Sequence, residues 1–118
     1  MAAVETHEKV SVTLAEVVFV DEAKIVEVNQ QYLGKNYVTD IITFPYDNTE
    51  SAIEGTLFCC AQRIFEQAGE FQTKPEAEFI RVVVHGLLHL CGYNDKTEGQ
   101  RQQMRAKEEF YLNEISTA

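Results

Sequence analysis

Two histidines four residues apart, His85 and His89, stand in a mostly apolar run from Val82 to Leu90. On a helix that spacing places both imidazoles on one face, close enough to share a single ion. Gly92 follows three residues later and Asp95 three after that, giving His85-x-x-x-His89-x-x-Gly92-x-x-Asp95. A helix would then present two ligands, a glycine would end it by taking the left-handed conformation, and the returning chain would present a carboxylate. Three protein ligands leave a tetrahedral ion one open position for water, the arrangement of catalytic rather than structural zinc. Water held there becomes acidic enough to attack a carbonyl or phosphorus centre near neutral pH. A carboxylate as third ligand also lowers the site charge and widens tolerance toward manganese or nickel. The competing reading makes the two histidines hydrogen-bonded core residues and Asp95 a cap for the next helix. That reading strands two polar rings in an apolar helix, which is costly.

The elements that must position these residues follow from hydrophobic period and end signals. Residues 10–20 are rich in β-branched side chains and predict a strand. Asp21 is a helix N-cap for residues 22–33, with Ile25, Val28 and Tyr32 as the core-facing stripe and Gly34 as the stop. Residues 39–44 predict a second strand closed by Pro45, residues 47–51 a turn, and residues 55–60 a third strand. A short helix over 61–68 ends at Gly69. Thr73, Pro75 and Glu76 form a capping-box pattern that opens the helix carrying the histidines. That helix is apolar on most faces and is expected to be buried and central, with one polar stripe of Glu78, Arg81, His85 and His89. A final charged helix over 98–112 is expected on the surface, and the first eight residues are expected to fray. The predicted fold class is α+β (mixed α/β), a small sheet packed with helices.

Composition bounds the function. The chain has 118 residues, 45% of them apolar and 25% charged, which predicts one globular domain over 1–118 without repeats or linkers. No apolar run is long enough for a membrane span, and the N-terminus lacks a signal-peptide pattern, so the expected location is cytoplasmic with no membrane partner. Three cysteines, Cys59, Cys60 and Cys91, predict reduced thiols. Ten basic against nineteen acidic residues give a net charge of −9, which excludes a protein that holds nucleic acid by bulk charge.

The metal motif shares its spacing with long-motif zinc proteases, HExxHxxGxx followed by His or Asp. Those enzymes need a glutamate directly after the first histidine as general base, and here Gly86 holds that place. The segment His85-Gly86-Leu87-Leu88-His89-Leu90-Cys91-Gly92-Tyr93-Asn94-Asp95 instead resembles the YbeY family signature HGxLHLxGYDH. Upstream, Leu33-Gly34-Lys35-Asn36-Tyr37-Val38-Thr39-Asp40-Ile41-Ile42-Thr43-Phe44-Pro45 resembles the same family's YRGKDxxTDVLSFP stretch. The likeness covers residues 17–112. It implies a mixed α/β fold and a single-strand-specific, metal-dependent endoribonuclease that matures ribosomal RNA at the small-subunit 3′ end and takes part in ribosome quality control. Its implied partners are single-stranded RNA, the ribosome and ribosomal proteins, and its implied cofactor is one Zn2+ per chain on His85, His89 and Asp95.

Three departures from the family pattern stand out. The third ligand is commonly histidine and is Asp95 here. An arginine common in the family is replaced by Leu33, which leaves Lys35 and Arg81 as substrate-binding candidates; an ion pair with Glu78 is the competing role for Arg81. The N-terminal strand and helix of the family are expected to be abbreviated. Lys96 adds a third basic residue near the site, and Asp40 is a general-base candidate with a turn or cap role as its alternative. Two other functions remain open on the residues alone: a metallohydrolase of amides or small esters, and a non-catalytic ribosome assembly factor whose metal only holds the loop after Gly92.

Overall fold

The structure, a computed structural model, describes residues 2–8, 11–46 and 52–117. It is a mixed α+β fold of five helices and three strands: α1 (Ala2–Glu8), β1 (Ser11–Val20), α2 (Glu22–Leu33), β2 (Ile41–Pro45), β3 (Ala52–Cys60), α3 (Ala61–Glu70), α4 (Pro75–Leu90) and α5 (Glu98–Thr117). The turn expected over 47–51 and the start of the first strand at Val10 lie outside the described residues.

The sheet runs in the order β1-β3-β2, with β3 parallel to β1 and antiparallel to β2. The middle strand is therefore paired on both edges, and its alternation assigns side chains to two cores, one on each face. Leu57 and Cys59 join the α4 side with Ile64, Val82, Leu87, Leu88 and Met104. Cys60 joins the α2 side with Ile25, Val28 and Ile42, and Phe58 packs against that group. Cys59, Cys60 and Cys91 are free thiols. Burial pushes the Cys59 thiol up to about 12, so it behaves as a small apolar side chain.

Local signals set most boundaries. The Asp21 carboxylate accepts the Lys24 N–H at 2.8 Å, and Gly34 ends α2 at φ 68°. Tyr32, expected in the buried stripe, is 61% exposed and only meets Phe44 edge-on. Asn29 takes the buried place, its amide donating to the Tyr37 carbonyl at 3.0 Å. That bond pins the loop entering β2, and a polar residue tolerates burial when so paired.

The Thr73 capping box does not form. Lys74 is the N-cap of α4, without a side-chain cap bond, and Pro75 occupies the first turn. Proline needs no partner for a missing N–H, so the cap is dispensable there. Helix α3 runs one residue past Gly69. The last helix extends to Thr117 and is less superficial than expected, with Met104, Glu108 and Tyr111 all buried.

The N-terminal segment is also ordered rather than frayed. Helix α1 buries Val4 in the α4-side core, and His7 meets Phe110 edge-on. The Glu8 carboxylate accepts from Tyr93, Tyr111 and Lys107 at 2.5, 2.5 and 3.0 Å. Three donors on one carboxylate hold a short helix that would be unstable alone.

Two glycines allow close approach of layers. A Cβ at Gly55 would meet the Phe44 carbonyl oxygen at 2.6 Å and Leu90 Cδ2 at 2.7 Å. The first obstacle is backbone in the paired strand, so relaxation requires moving β2 against β3. Gly55→Ala is expected to destabilise by about 1–3 kcal/mol, read as a lowered urea midpoint at unchanged m-value.

Candidate metal centre

Helix α4 turns its apolar faces to the sheet and leaves one polar stripe. Glu78 is buried, His85 and His89 are half-buried, and both histidines line a cleft of about 500 Å³ together with Thr39, Asp40, Asp95 and Lys96. At the end of α4 Gly92 adopts φ 104°, which non-glycine residues rarely take. The chain then doubles back and brings Asp95 over the two imidazoles.

Hydrogen bonds on the far side of each ring fix its tautomer. His85 Nδ1 meets the Glu108 carboxylate at 2.5 Å, and His89 Nδ1 meets the Tyr93 carbonyl at 2.9 Å. Both partners can only accept, so each Nδ1 carries the proton and donates it. Both Nε2 lone pairs then face one another, 2.9 Å apart. Asp95 Oδ2 lies 3.5 Å from each of these nitrogens. Two acceptors and a carboxylate at such range repel unless a cation or proton sits among them. A point equidistant from the three atoms lies about 1.9 Å from each, close to the ~2.0–2.2 Å that zinc keeps to imidazole nitrogen and carboxylate oxygen. Among the described residues this is the group of His, Cys, Asp or Glu side chains able to hold a metal ion.

Glu108 escaped the sequence reading. It sits on α5, 23 residues from its partner, and is 3% exposed. One of its oxygens orients His85; the other accepts from Arg81 Nη1 at 2.8 Å. Arg81 in turn holds Glu78 through two bonds of 2.7 Å. Gln67 donates at 3.1 Å to both Glu78 and Asp40. A continuous polar chain thus runs from Asp40 in the cleft through Gln67, Glu78, Arg81 and Glu108 to His85. A carboxylate–histidine pair of this kind fixes ring orientation and raises ligand basicity. The sequence signal available was a glutamate between the apolar positions Met104 and Tyr111, on the inward face of α5.

The pair also titrates in a defined direction. Burial disfavours the charged His85 ring, yet the Glu108 hydrogen bond and charge outweigh it and raise its pKa. Burial likewise opposes the Glu108 charge, and the bonds from His85 and Arg81 reverse this and lower its pKa.

The other expected site residues are placed as follows. Arg81 lines the neighbouring groove rather than the cleft, and its guanidinium is engaged by Glu78 and Glu108 as described. Lys35 is exposed on the loop between α2 and β2 and does not line the cleft; Lys96 does. Asp40 lines the cleft with its carboxylate held by Gln67. Gly86 faces away from the cation donors: a Cβ there would meet Ile41 Cδ1 at 2.8 Å and Leu57 Cδ2 at 3.0 Å. A glutamate at this position would drive into the sheet.

Fold and donor set together define a mixed α+β protein with a His85, His89 and Asp95 cluster able to hold a cation at an open cleft. The chain matches the family described as Endoribonuclease YbeY over residues 1–116. It is similar to the Endoribonuclease YbeY of Phocaeicola vulgatus, 44% identical over 84% of this chain and 71% of the relative. It is likewise similar to that of Bacteroides fragilis, 44% identical over 77% of this chain and 65% of the relative. Against that of Chlorobium limicola it is 42% identical, over 86% of this chain and 69% of the relative. The chain thus spans about two thirds of the length of these relatives. The solution structure of TM1509 from Thermotoga maritima superimposes with a TM-score of 0.63 at 35% identity, over 86% of this chain and 67% of that one. The chain belongs to the YbeY endoribonuclease family.

Two outcomes test the Glu108 arrangement. Glu108→Gln keeps the shape and removes the charge, and is expected to weaken zinc binding about 10- to 100-fold in a chelator competition titration. In metal-free protein the raised His85 pKa contributes stability that is present below the ordinary histidine value and is lost as pH rises through the folded value. The urea midpoint of metal-free protein is therefore expected to fall as pH rises through and above the ordinary histidine range, with a flatter profile in Glu108→Gln. Zinc needs neutral imidazoles, so zinc-loaded protein should move in the opposite direction.

Proposed function

We propose that this protein is a metal-dependent endoribonuclease acting on single-stranded ribosomal RNA, with His85, His89 and Asp95 as the ligands of one zinc ion. The observation that carries the reading is the convergence of two imidazole Nε2 atoms and one carboxylate oxygen at an open cleft. When bound, the ion would polarise a phosphate oxygen and make an attacking water more acidic.

The chain's own residues have separable tasks. Glu108 and the Tyr93 carbonyl hold the two rings so that both Nε2 atoms face the cleft. Arg81 keeps the Glu108 carboxylate ionised and in place, which makes it a positioning residue. Asp40, steadied by Gln67 on the cleft wall, is the candidate acceptor for the proton of the attacking water. Lys96 and the exposed Lys35 supply charge for the substrate backbone. Maturation of the small-subunit 3′ end, ribosome quality control, a cytoplasmic location and docking to ribosomal proteins complete the proposal. No helix among the described residues is long and apolar enough to cross a membrane. A net charge of −9 favours weak intrinsic RNA affinity, with the ribosome supplying most of the localisation.

The amide-hydrolase alternative needs a glutamate base beside His85, and the contacts around Gly86 leave no room for one. Elemental analysis of protein purified without chelators separates the remaining readings. About one zinc per chain is expected in the wild type and little in Asp95→Ala. Cleavage of a single-stranded RNA should vanish with chelator and in His89→Ala while the circular dichroism spectrum persists. Full metal retention in Asp95→Ala removes that carboxylate from the ligand set. Absence of RNA cleavage at every metal tried, with unfolding of His89→Ala, makes the ion structural.

A further inference from the structure

A second groove, of about 180 Å³, adjoins the cleft and shares His85 and Asp95 with it. Its other wall is α5, which contributes Arg101 and Arg105. Four residues apart on a helix, these two guanidinium groups lie on one face. Their circumstances differ. Arg101 donates to the Asp95 and Lys96 carbonyls and pairs with Glu98 at 3.1 Å, so it braces the loop that carries Asp95. Arg105 is exposed and makes no hydrogen bond or ion pair among the described residues.

The acidic groups in the groove do not answer Arg105. Glu108 is committed to His85 and Arg81, and Asp95 faces the imidazoles. Arg81, the third arginine of the groove, is matched by two carboxylates. Within this groove the uncommitted charge is thus the Arg105 guanidinium, a planar five-donor group suited to phosphate. A polyanion with one phosphate at the donor set carries its next phosphates along whichever channel leaves it. The groove is such a channel.

We infer that Arg105 binds the backbone phosphate neighbouring the one at the cation donors, which sets a path for the RNA strand along α5. This rests on the nuclease reading above. It also gives the substrate a basic contact that neither Leu33 nor the engaged Arg81 supplies.

The test is a binding titration of a labelled single-stranded RNA oligonucleotide to zinc-loaded protein at several salt concentrations, with cleavage followed in parallel. Arg105→Ala is compared with Arg105→Lys and with Arg63→Ala. Arg63 pairs with Glu70 on α3, so its removal changes net charge equally at a place outside the groove. One lost phosphate contact on a single strand should reduce the salt slope by about 0.7, which corresponds to about a fivefold loss of affinity near ~0.1 M salt. Arg105→Ala should show both losses at unchanged zinc content. Arg105→Lys should recover most of the slope, and Arg63→Ala should leave it as in the wild type. If Arg105→Ala and Arg63→Ala behave alike while the wild type cleaves RNA, the subsite is wrong and the nuclease reading stands. If binding depends on Arg105 but no cleavage occurs, the subsite stands and the nuclease reading falls. Loss of zinc in Arg105→Ala, or no binding by the wild type, overturns the inference.

Discussion

A carboxylate moved out of water loses several kcal/mol of hydration unless donors replace it, and Glu108 is almost wholly buried against α4. Its two oxygens are met by His85 and Arg81, and Arg81 is in turn neutralised by Glu78, which is also buried. Deleting Arg81 alone would leave the buried Glu78 and Glu108 without their matching cation, an error worth about 3–5 kcal/mol. The cost explains why the geometry is so closely specified. The arginine has few low-energy placements that satisfy both glutamates, the glutamate then has one that also reaches Nδ1, and the imidazole is left with its Nε2 facing the cleft. No buried side-chain polar atom lacks a partner among the described residues, so the network satisfies itself without relying on water.

The other ring is fixed by different means. The acceptor for His89 is the backbone carbonyl of Tyr93, whose position depends on the turn at Gly92. Tyr93 is itself tied down at its hydroxyl by Glu8 of α1, and Lys107 lies over its ring at 4.8 Å. The loop that brings Asp95 back is therefore anchored to the opposite end of the chain. Two rings four residues apart on one helix are thus oriented by α5 on one side and by α1 through Tyr93 on the other. Agreement between two independent supports places both Nε2 atoms at one point more tightly than either would alone.

What the sequence disclosed follows the range of the interactions involved. The spacing of His85 and His89, the stop at Gly92 and the return to Asp95 are all local, and the four-residue helical period is enough to foresee that these side chains meet. The Asp21 cap and the Gly34 stop were legible for the same reason. Glu108 was not, because its partner is 23 residues away and nothing local marks a helix glutamate as buried. The same limit applies to α1. The first eight residues read as a loose end, since the donors that hold Glu8 come from residues 85, 99 and 103 positions later. Tyr32 and Asn29 exchanged roles because a polar side chain with a carbonyl to bind can take a core position, while an aromatic ring near the end of α2 can lie flat on the surface. The Thr73 box failed because Pro75 already accommodates one of the free ends it would have served.

The net charge looks ill suited to a polyanionic substrate until it is divided by location. Glu8, Glu78 and Glu108 are enclosed and matched by Lys107, Arg81 and His85, so they contribute little field in the cleft. Glu66 and Glu70 pair with Arg63 on α3, and Glu98 pairs with Arg101. At physiological salt, unpaired carboxylates farther than about 8 Å are largely screened. What an approaching phosphate experiences is therefore set by Lys96, Arg105, the Asp40 carboxylate on the cleft wall and the charge held among His85, His89 and Asp95. A single divalent ion would outweigh the Asp95 carboxylate and invert the local sign. The acidic remainder of the surface then acts against indiscriminate binding: it repels RNA that does not bring a strand into the cleft, so that contact is made where the donors converge and hardly elsewhere.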